Sequence, residues 1–338
     1  MKLLRKILFP FVPIYFLVTW LRNKCYDVGL KSSKSYKTPV ICVGNLSTGG
    51  TGKTPTIEYL VRLLQEQYRV ATLSRGYKRE SRGFIIASHD ANAKLIGDEP
   101  FQFYQKFEGL IVSVDANRQR GIEKLIELKQ PDVILLDDAF QHRKVTAAFS
   151  ILLTAYDNLY SEDLVLPTGN LREPSSGASR ADCIIVTKCP SELSSHQQDR
   201  ILEKLKPLPH QMVCFSSIIY SKTISNTHTT KAIQTLRGKH ITLVTGIADP
   251  KPMLNYLLSE SLDFEHLEFN DHHSFTSAEI EMLQQKECIL TTEKDYVRLK
   301  DSFKSKPMKL WYLPIAFKIN ESELFDARLL SFMNSFQH

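Results

Sequence analysis

Apolar positions from Thr38 onward fall into short β-branched runs separated by stretches with helical spacing. Val40-Val43, Val70-Leu73, Leu110-Val114, Val133-Leu136, Ser150-Leu153 and Cys183-Thr187 are near-continuous apolar runs, as expected of strands buried on both faces. Between the first two, Ile57, Leu60, Val61 and Leu64 repeat at i, i+3, i+4 and i+7, which predicts a helix directly after a glycine-rich segment. The alternation predicts an α/β fold, a parallel sheet flanked by helices.

Residues Ser221 to Thr230 hold almost no large apolar side chain and read as a linker or exposed loop. A second alternation follows, with strands expected at His240-Thr245, Phe264-Phe269, Cys288-Thr291 and Leu310-Leu313, and helices around Pro252-Ser259 and Ser277-Gln284. The expected organisation is an N-terminal segment (1–25), a larger α/β domain (26–220), a linker (221–230) and a smaller α/β domain (231–338). No internal repeat is visible.

The N-terminus departs from this pattern. Ile7 to Leu21 is an aromatic-rich apolar run broken by Pro10 and Pro13 and flanked by Lys2, Arg5, Lys6, Arg22 and Lys24. It is shorter than the roughly 20 apolar residues of a spanning helix, and with Tyr15 and Trp20 it suits a helix associated with the interface of one leaflet. A secretory signal peptide shares the basic start and short apolar core, but no small-x-small cleavage site follows Trp20; an ordinary buried helix is the blander alternative.

Charge sharpens that reading. Residues 1–38 carry eight Lys/Arg against Asp27 alone, and the remaining 300 residues hold 35 basic and 36 acidic groups. The formal net charge of +6 is therefore local. A nucleic-acid-binding domain spreads its basic residues over a large face, so no nucleic-acid partner is expected. The six cysteines show neither a Cys-x-x-Cys pair nor a metal-ligand spacing and read as reduced core residues.

Ser47-Thr48-Gly49-Gly50-Thr51-Gly52-Lys53-Thr54 matches the phosphate-loop pattern Gly-x-x-x-x-Gly-Lys-[Ser/Thr] except at its first position. Gly44, Gly49, Gly50 and Gly52 still let backbone N–H groups turn toward phosphate oxygens. Lys53 is then expected to neutralise the β- and γ-phosphates of ATP, and the Thr54 hydroxyl to bind Mg²⁺. The position between a β-branched strand and an amphipathic helix indicates a P-loop NTPase-type sheet. Asp137 and Asp138, at the end of the run Val133-Leu136, supply the metal carboxylates of a Walker-B arrangement, with a turn cap as the plainer alternative. Asp98 begins a helical stretch after Gly97, where an N-cap role is the plain reading.

Further motifs lie in order along the chain: Val43 to Pro55, Ser74-Arg75-Gly76-Tyr77, Gly97-Asp98-Glu99-Pro100, Asp137-Asp138-Ala139-Phe140-Gln141-His142, Leu171-Arg172-Glu173-Pro174, Asp271-His272-His273 and Thr291-Thr292-Glu293-Lys294-Asp295. Together they cover nearly the whole chain and resemble the tetraacyldisaccharide 4′-kinase family of lipid A biosynthesis, whose loop shares the Ser47 departure. Ala139 stands where the family usually has Gly. The resemblance implies transfer of the ATP γ-phosphate to the 4′-hydroxyl of an acylated glucosamine disaccharide 1-phosphate at the cytoplasmic face of the bacterial inner membrane. It implies ATP and Mg²⁺ as cofactors and no obligatory protein partner. It casts Asp98 as the general base paired with His272, Arg172 as a stabiliser of the transferring group and Glu173 as an Mg²⁺ ligand or a holder of its waters. Arg75, Asn45, Gln141 and His142 are then expected at the acceptor. The leading alternative is a nucleotide-driven switch or metal-insertion ATPase/GTPase. Such proteins usually carry an extra lysine near the start of the loop, where this chain reads Asn45-Leu46-Ser47-Thr48.

Overall fold

The computed structural model of the chain describes residues 5, 7–247, 249–271 and 273–336. An N-terminal helix α1 (Val12–Asp27) leads into β1 (Val40–Asn45), α2 (Lys53–Leu64), β2 (Val70–Ser74), β3 (Ile85–Ile86), α3 (Ala93–Ile96), α4 (Asp98–Lys106) and β4 (Ile111–Val114). Next come α5 (Arg118–Lys129), β5 (Val133–Asp137), β6 (Phe149–Ala155), β7 (Cys183–Thr187), α6 (Ser195–Leu205) and β8 (Met212–Tyr220). The chain continues through β9 (Thr223–Ser225), β10 (Thr230–Ala232), β11 (Ile241–Thr245), α7 (Lys251–Ser259), β12 (Phe264–Glu268), α8 (Ser277–Gln285) and β13 (Cys288–Thr291). It ends in α9 (Glu293–Leu299), β14 (Leu310–Tyr312), β15 (Ile315–Ile319) and α10 (Ser322–Asn334).

The larger sheet has the order β15-β8-β7-β6-β1-β5-β2-β4-β3, with antiparallel strands only at its two edges. Its central strands are buried on both faces, which is why their sequences run apolar without alternation. The chain leaves β1 toward β2 on one side and later fills β6 and β7 on the other, so the strand order reverses at β1. Ligand crevices of open α/β sheets form at such reversals, outside the carboxyl ends of the strands. The smaller sheet, β10-β9-β14-β13-β11-β12, surrounds its own core of Ile241, Leu243, Leu257, Leu290 and Trp311.

Two expectations about organisation change. The stretch expected to be a linker contributes β9 and β10 to the smaller sheet, because Ile224, fully buried, anchors an otherwise polar strand. The expected second domain also does not keep the C-terminus: β15 pairs antiparallel with β8, returning the chain to the larger sheet. Phe325, Leu329 and Met333 of α10 join the larger core at helical spacing, and Tyr59 of α2 donates to Asp326 at 2.7 Å. No element was expected after Leu313, so both β15 and α10 are additions from the structure.

Helix α1 has 16 residues and spans about 24 Å. Among the described residues no helix is long and apolar enough to cross a membrane. Only Asn23 of α1 is buried, while Ile14, Phe16, Leu17, Val18, Trp20 and Leu21 are exposed. Val12 and Tyr15 form the inner side, packed on the larger unit.

Candidate active site

The glycine-rich loop leaves β1 and enters α2 with Gly49 at φ +115° and Gly52 at φ +85°. Both angles lie where a side chain is strained, so these two positions require glycine. The loop is fastened on both sides. Thr187 donates its hydroxyl to the Thr51 carbonyl at 2.9 Å, the Thr48 N–H donates to the Asn170 carbonyl at 2.8 Å, and the Arg172 N–H donates to the Leu46 carbonyl at 2.7 Å. With Gly52 as the helix cap, no side chain occupies the N-terminus of α2. That end presents N–H groups and the positive end of the helix dipole, a seat for an anion.

Lys53 and Asp138 face each other across this loop, with Lys53 Nζ 3.7 Å from Asp138 Oδ1. Arg172 adds ion-paired hydrogen bonds of 2.8 and 3.3 Å to the two Asp138 oxygens. Asn45, fully buried at the end of β1, accepts from Lys53 at 3.4 Å and from Arg172, joining the two cations. Burial would raise the Asp138 carboxyl, yet Lys53 and Arg172 hold it below the ordinary carboxylate value. Asp137 behaves oppositely: burial and the adjacent Asp138 charge push it up to about 6. Its oxygen Oδ2 accepts from Ser74 at 3.2 Å, and its backbone carbonyl accepts from Arg118 at 3.0 Å. Arg118, buried behind this pair, was not anticipated; its position as the first residue of α5 gave no signal of burial.

Glu173, expected by resemblance at Mg²⁺ or its waters, is engaged by protein donors. Its side chain is sealed from solvent, and its oxygens accept from Asn23 of α1, from Gln141 at 3.2 Å and from Arg180 at 2.7 Å. Among the described residues it acts as a hub between the N-terminal helix and the Asp137-His142 turn. Gln141 also donates to the Asn45 carbonyl at 2.8 Å, and Arg22 of α1 donates to the Gln141 carbonyl at 2.6 Å. The Tyr15 hydroxyl donates to the Arg172 carbonyl at 3.0 Å, so α1 touches both members of the Arg172-Glu173 pair. His142 is pushed down to about 4 by burial and by the surrounding cations Arg118, Lys144, Arg22 and Arg75. Arg75 itself is exposed at the end of β2.

Asp98 opens α4 and receives Arg298 of α9, with Nε at 3.0 Å and Nη2 at 2.7 Å from Oδ2. His272, the partner expected for Asp98, lies outside the described residues. Arg298 was missed, although it follows Asp295 of the Thr-Thr-Glu-Lys-Asp motif at i+3, the spacing that puts both on one helix face. Lys294 pairs with Glu99 at 2.8 Å, so two successive residues of α4 are met by α9.

The family model for tetraacyldisaccharide-1-P 4′-kinase matches residues 4–334. The chain belongs to this family. Members named tetraacyldisaccharide 4′-kinase include those of Flavobacterium johnsoniae, 52% identical over 98% of each chain, and Bacteroides thetaiotaomicron, 41% identical over 98% of this chain and 93% of its own. Among solved structures, LpxK from Aquifex aeolicus in complex with ATP aligns with a TM-score of 0.80 at 29% identity, covering 98% of this chain and 99% of that one. Membership in the 4′-kinase family makes the chain a kinase with an ATP-binding P-loop fold, and the metal-insertion switch reading is not favoured.

Proposed function

We propose that this chain transfers the γ-phosphoryl group of ATP to the 4′-hydroxyl of tetraacyldisaccharide 1-phosphate at a membrane surface. The observation that carries the reading is the match to the 4′-kinase family from residue 4 to residue 334, on a chain that gathers Lys53, Asp138, Arg172 and Asn45 at one end of its sheet.

In this reading the Gly49-Thr54 backbone cradles the triphosphate while Lys53 and Arg172 face the charge that develops on the transferring group. Asp137 and Asp138 at the end of β5, with the Thr54 hydroxyl at the start of α2, fit a magnesium site, because carboxylate and hydroxyl oxygens are the hard donors that this ion takes. Mg²⁺ held there would neutralise phosphate charge. Glu173, with its oxygens taken by Asn23, Gln141 and Arg180, supports the turn that carries this pair. Asp98 accepts the 4′-hydroxyl proton as the sugar oxygen forms its bond to the γ-phosphorus; the bridging bond to the β-phosphate breaks and ADP leaves. His272 assists Asp98. Of the residues expected at the acceptor, Arg75, Gln141 and His142 are assigned to its side, where the cations around His142 suit a substrate that carries a 1-phosphate, whereas the fully buried Asn45 holds Lys53 and Arg172.

We place the enzyme on the cytoplasmic face of the bacterial inner membrane as a peripheral protein. The exposed apolar side of α1 and the basic residues around it support this, since apolar burial and attraction to anionic headgroups add. The test of the reaction is purified protein with Mg-ATP and detergent-solubilised acylated disaccharide 1-phosphate, read by mass spectrometry for a 4′-phosphate. ATP hydrolysis without a phosphorylated lipid would overturn it.

A further inference from the structure

We propose that Arg298 is the positioning residue of Asp98, fixing from the smaller unit the carboxylate that accepts the acceptor proton. The proposal rests on Asp98 being the base. Both nitrogens that Arg298 directs at Asp98 land on one oxygen, Oδ2, at 3.0 and 2.7 Å. Two charged donors on a single oxygen anchor that end of the carboxylate and restrict the rotamers of Asp98. A carboxylate held this way meets a substrate hydroxyl at a defined angle instead of sampling the rotamers open to a helix-terminal Asp.

Arg298 can impose that geometry only if it is itself fixed. Its side chain is 9% exposed, and Nη1 bonds to Asp295 Oδ1 at 2.8 Å and to the Gly246 carbonyl at 3.4 Å. Asp295 is fully buried, and its Oδ2 accepts from the Gly246 N–H at 2.9 Å and from the Thr292 hydroxyl at 2.7 Å. A Cβ at position 246 would lie 2.9 Å from Asp295 Oδ1, so the glycine allows the backbone this close to the carboxylate. The guanidinium thus spans two carboxylates, one buried and structural, one half-buried at the start of α4.

The rest of the contact between the two helices holds α4 against α9. Lys294 reaches Glu99 at 2.8 Å, and at the far end of α4 Lys106 lies 2.9 Å from Glu293. These pairs hold the two helices together on either side of the fork on Asp98. A lysine in place of Arg298 keeps a positive charge but presents a point donor that cannot address Asp98 and Asp295 in two directions.

The experiment is a double-mutant cycle on the full-length enzyme with Mg-ATP and detergent-solubilised acceptor. Arg298→Gln is expected to lower kcat by about 10- to 100-fold while the KM for ATP stays within about twofold, and Arg298→Lys to recover only part of the loss. In an Asp98→Asn background the same Arg298→Gln change is expected to alter kcat by less than about twofold, because the group it positions is gone. Equal loss in both backgrounds, or wild-type kcat for Arg298→Gln, overturns the proposal. If Arg298→Gln fails to fold because Asp295 is left buried and unpaired, Asp295→Asn/Arg298→Gln removes both charges and the cycle is read from that pair. Asp98→Ala keeps the two ideas apart: full turnover would sink the base assignment itself, whereas lost turnover with an active Arg298→Gln would sink only the positioning role.

Discussion

Lys53 Nζ lies 3.7 Å from Asp138 Oδ1, and the same carboxylate takes a 2.8 Å ion pair from Arg172. One aspartate thus ties the first residue of α2, the end of β5 and the loop before Pro174 into a single electrostatic unit. Asp138 sits at φ +49°, a conformation that Asn also tolerates. Asp138→Asn is therefore a clean removal of charge. It is expected to lower kcat by about 100-fold or more and to shift the melting temperature by only a few degrees, measured by steady-state kinetics and thermal denaturation. Turnover within a few-fold of wild type would remove Asp138 from the chemistry.

Close packing of β1 against the acidic turn gives a second test. A Cβ on Gly44 would come 2.7 Å from Phe140 Cβ and 3.0 Å from the Phe140 N. Neither atom belongs to the far end of a flexible side chain, so Gly44→Ala must move the turn that follows Asp137 and Asp138. The expected cost is about 1–3 kcal/mol in urea unfolding, with a fall in kcat larger than the population of unfolded protein explains. Unchanged stability would mean that the turn yields freely.

Helix α1 presents two different faces, and the proposed membrane role assigns a separate task to each. Asn23 points inward to Glu173, and Phe16, Leu17 and Trp20 point outward. Asn23→Ala leaves a fully buried glutamate with fewer donors and is expected to lower kcat in detergent while leaving binding to anionic vesicles intact. Phe16→Ser/Leu17→Ser/Trp20→Ser should do the reverse, lowering vesicle binding in a flotation assay with turnover on detergent-dispersed acceptor less affected. Loss of vesicle binding on Asn23→Ala alone would contradict the division.

Lys106 lies between the buried Glu58 and the partly buried Glu293, 2.7 and 2.9 Å away, while Arg62 makes a longer pair of 3.6 Å with Glu58. Burial and Glu58 already raise the Glu293 pKa. Lys106→Met should therefore destabilise the fold by about 3–5 kcal/mol, and adding Glu293→Gln should restore a large part by removing one of the two charges. Chemical denaturation of the three proteins reads this directly; an additive double mutant would show that the trio is not coupled.

The parallel strands were legible because they are buried on both faces and run apolar, and the phosphate loop because glycine, lysine and threonine stand at the spacing phosphates require. Pairings that join distant segments were not legible. Ile224 is one apolar residue in a polar decapeptide, too little to betray an edge strand, and Ile315-Ile319, directly after the expected strand Leu310-Leu313, was not separated from it as a strand of the other sheet. Glu173 carried a motif signal that placed it near Arg172, yet its burial under Asn23 depends on how α1 lies, which local sequence does not encode. Arg298 was within reach, three residues past Asp295 on a short helix, but a basic residue at a helix end ordinarily reads as a dipole partner facing solvent.

His142 gives the molecule a pH dependence with a definite sign. Burial, reinforced by Arg118, Lys144, Arg22 and Arg75, holds its imidazole at about 4 in the folded chain, against about 6.5 when unfolded. As pH falls below about 6.5 the unfolded chain takes up this proton first, so the folded state loses stability until the pH reaches about 4, and the effect is flat outside that window. Above about 6.5 His142 is neutral in both states and contributes nothing to the slope. Replacing His142 with Gln keeps a polar side chain of similar reach and removes the titration. The melting temperature of His142→Gln is therefore expected to fall less steeply than that of wild type between pH 6.5 and 4.5, with parallel curves between pH 7 and 8. Identical slopes in the acidic window would show that solvent reaches the imidazole in the folded chain, so that neither burial nor the four cations lowers it.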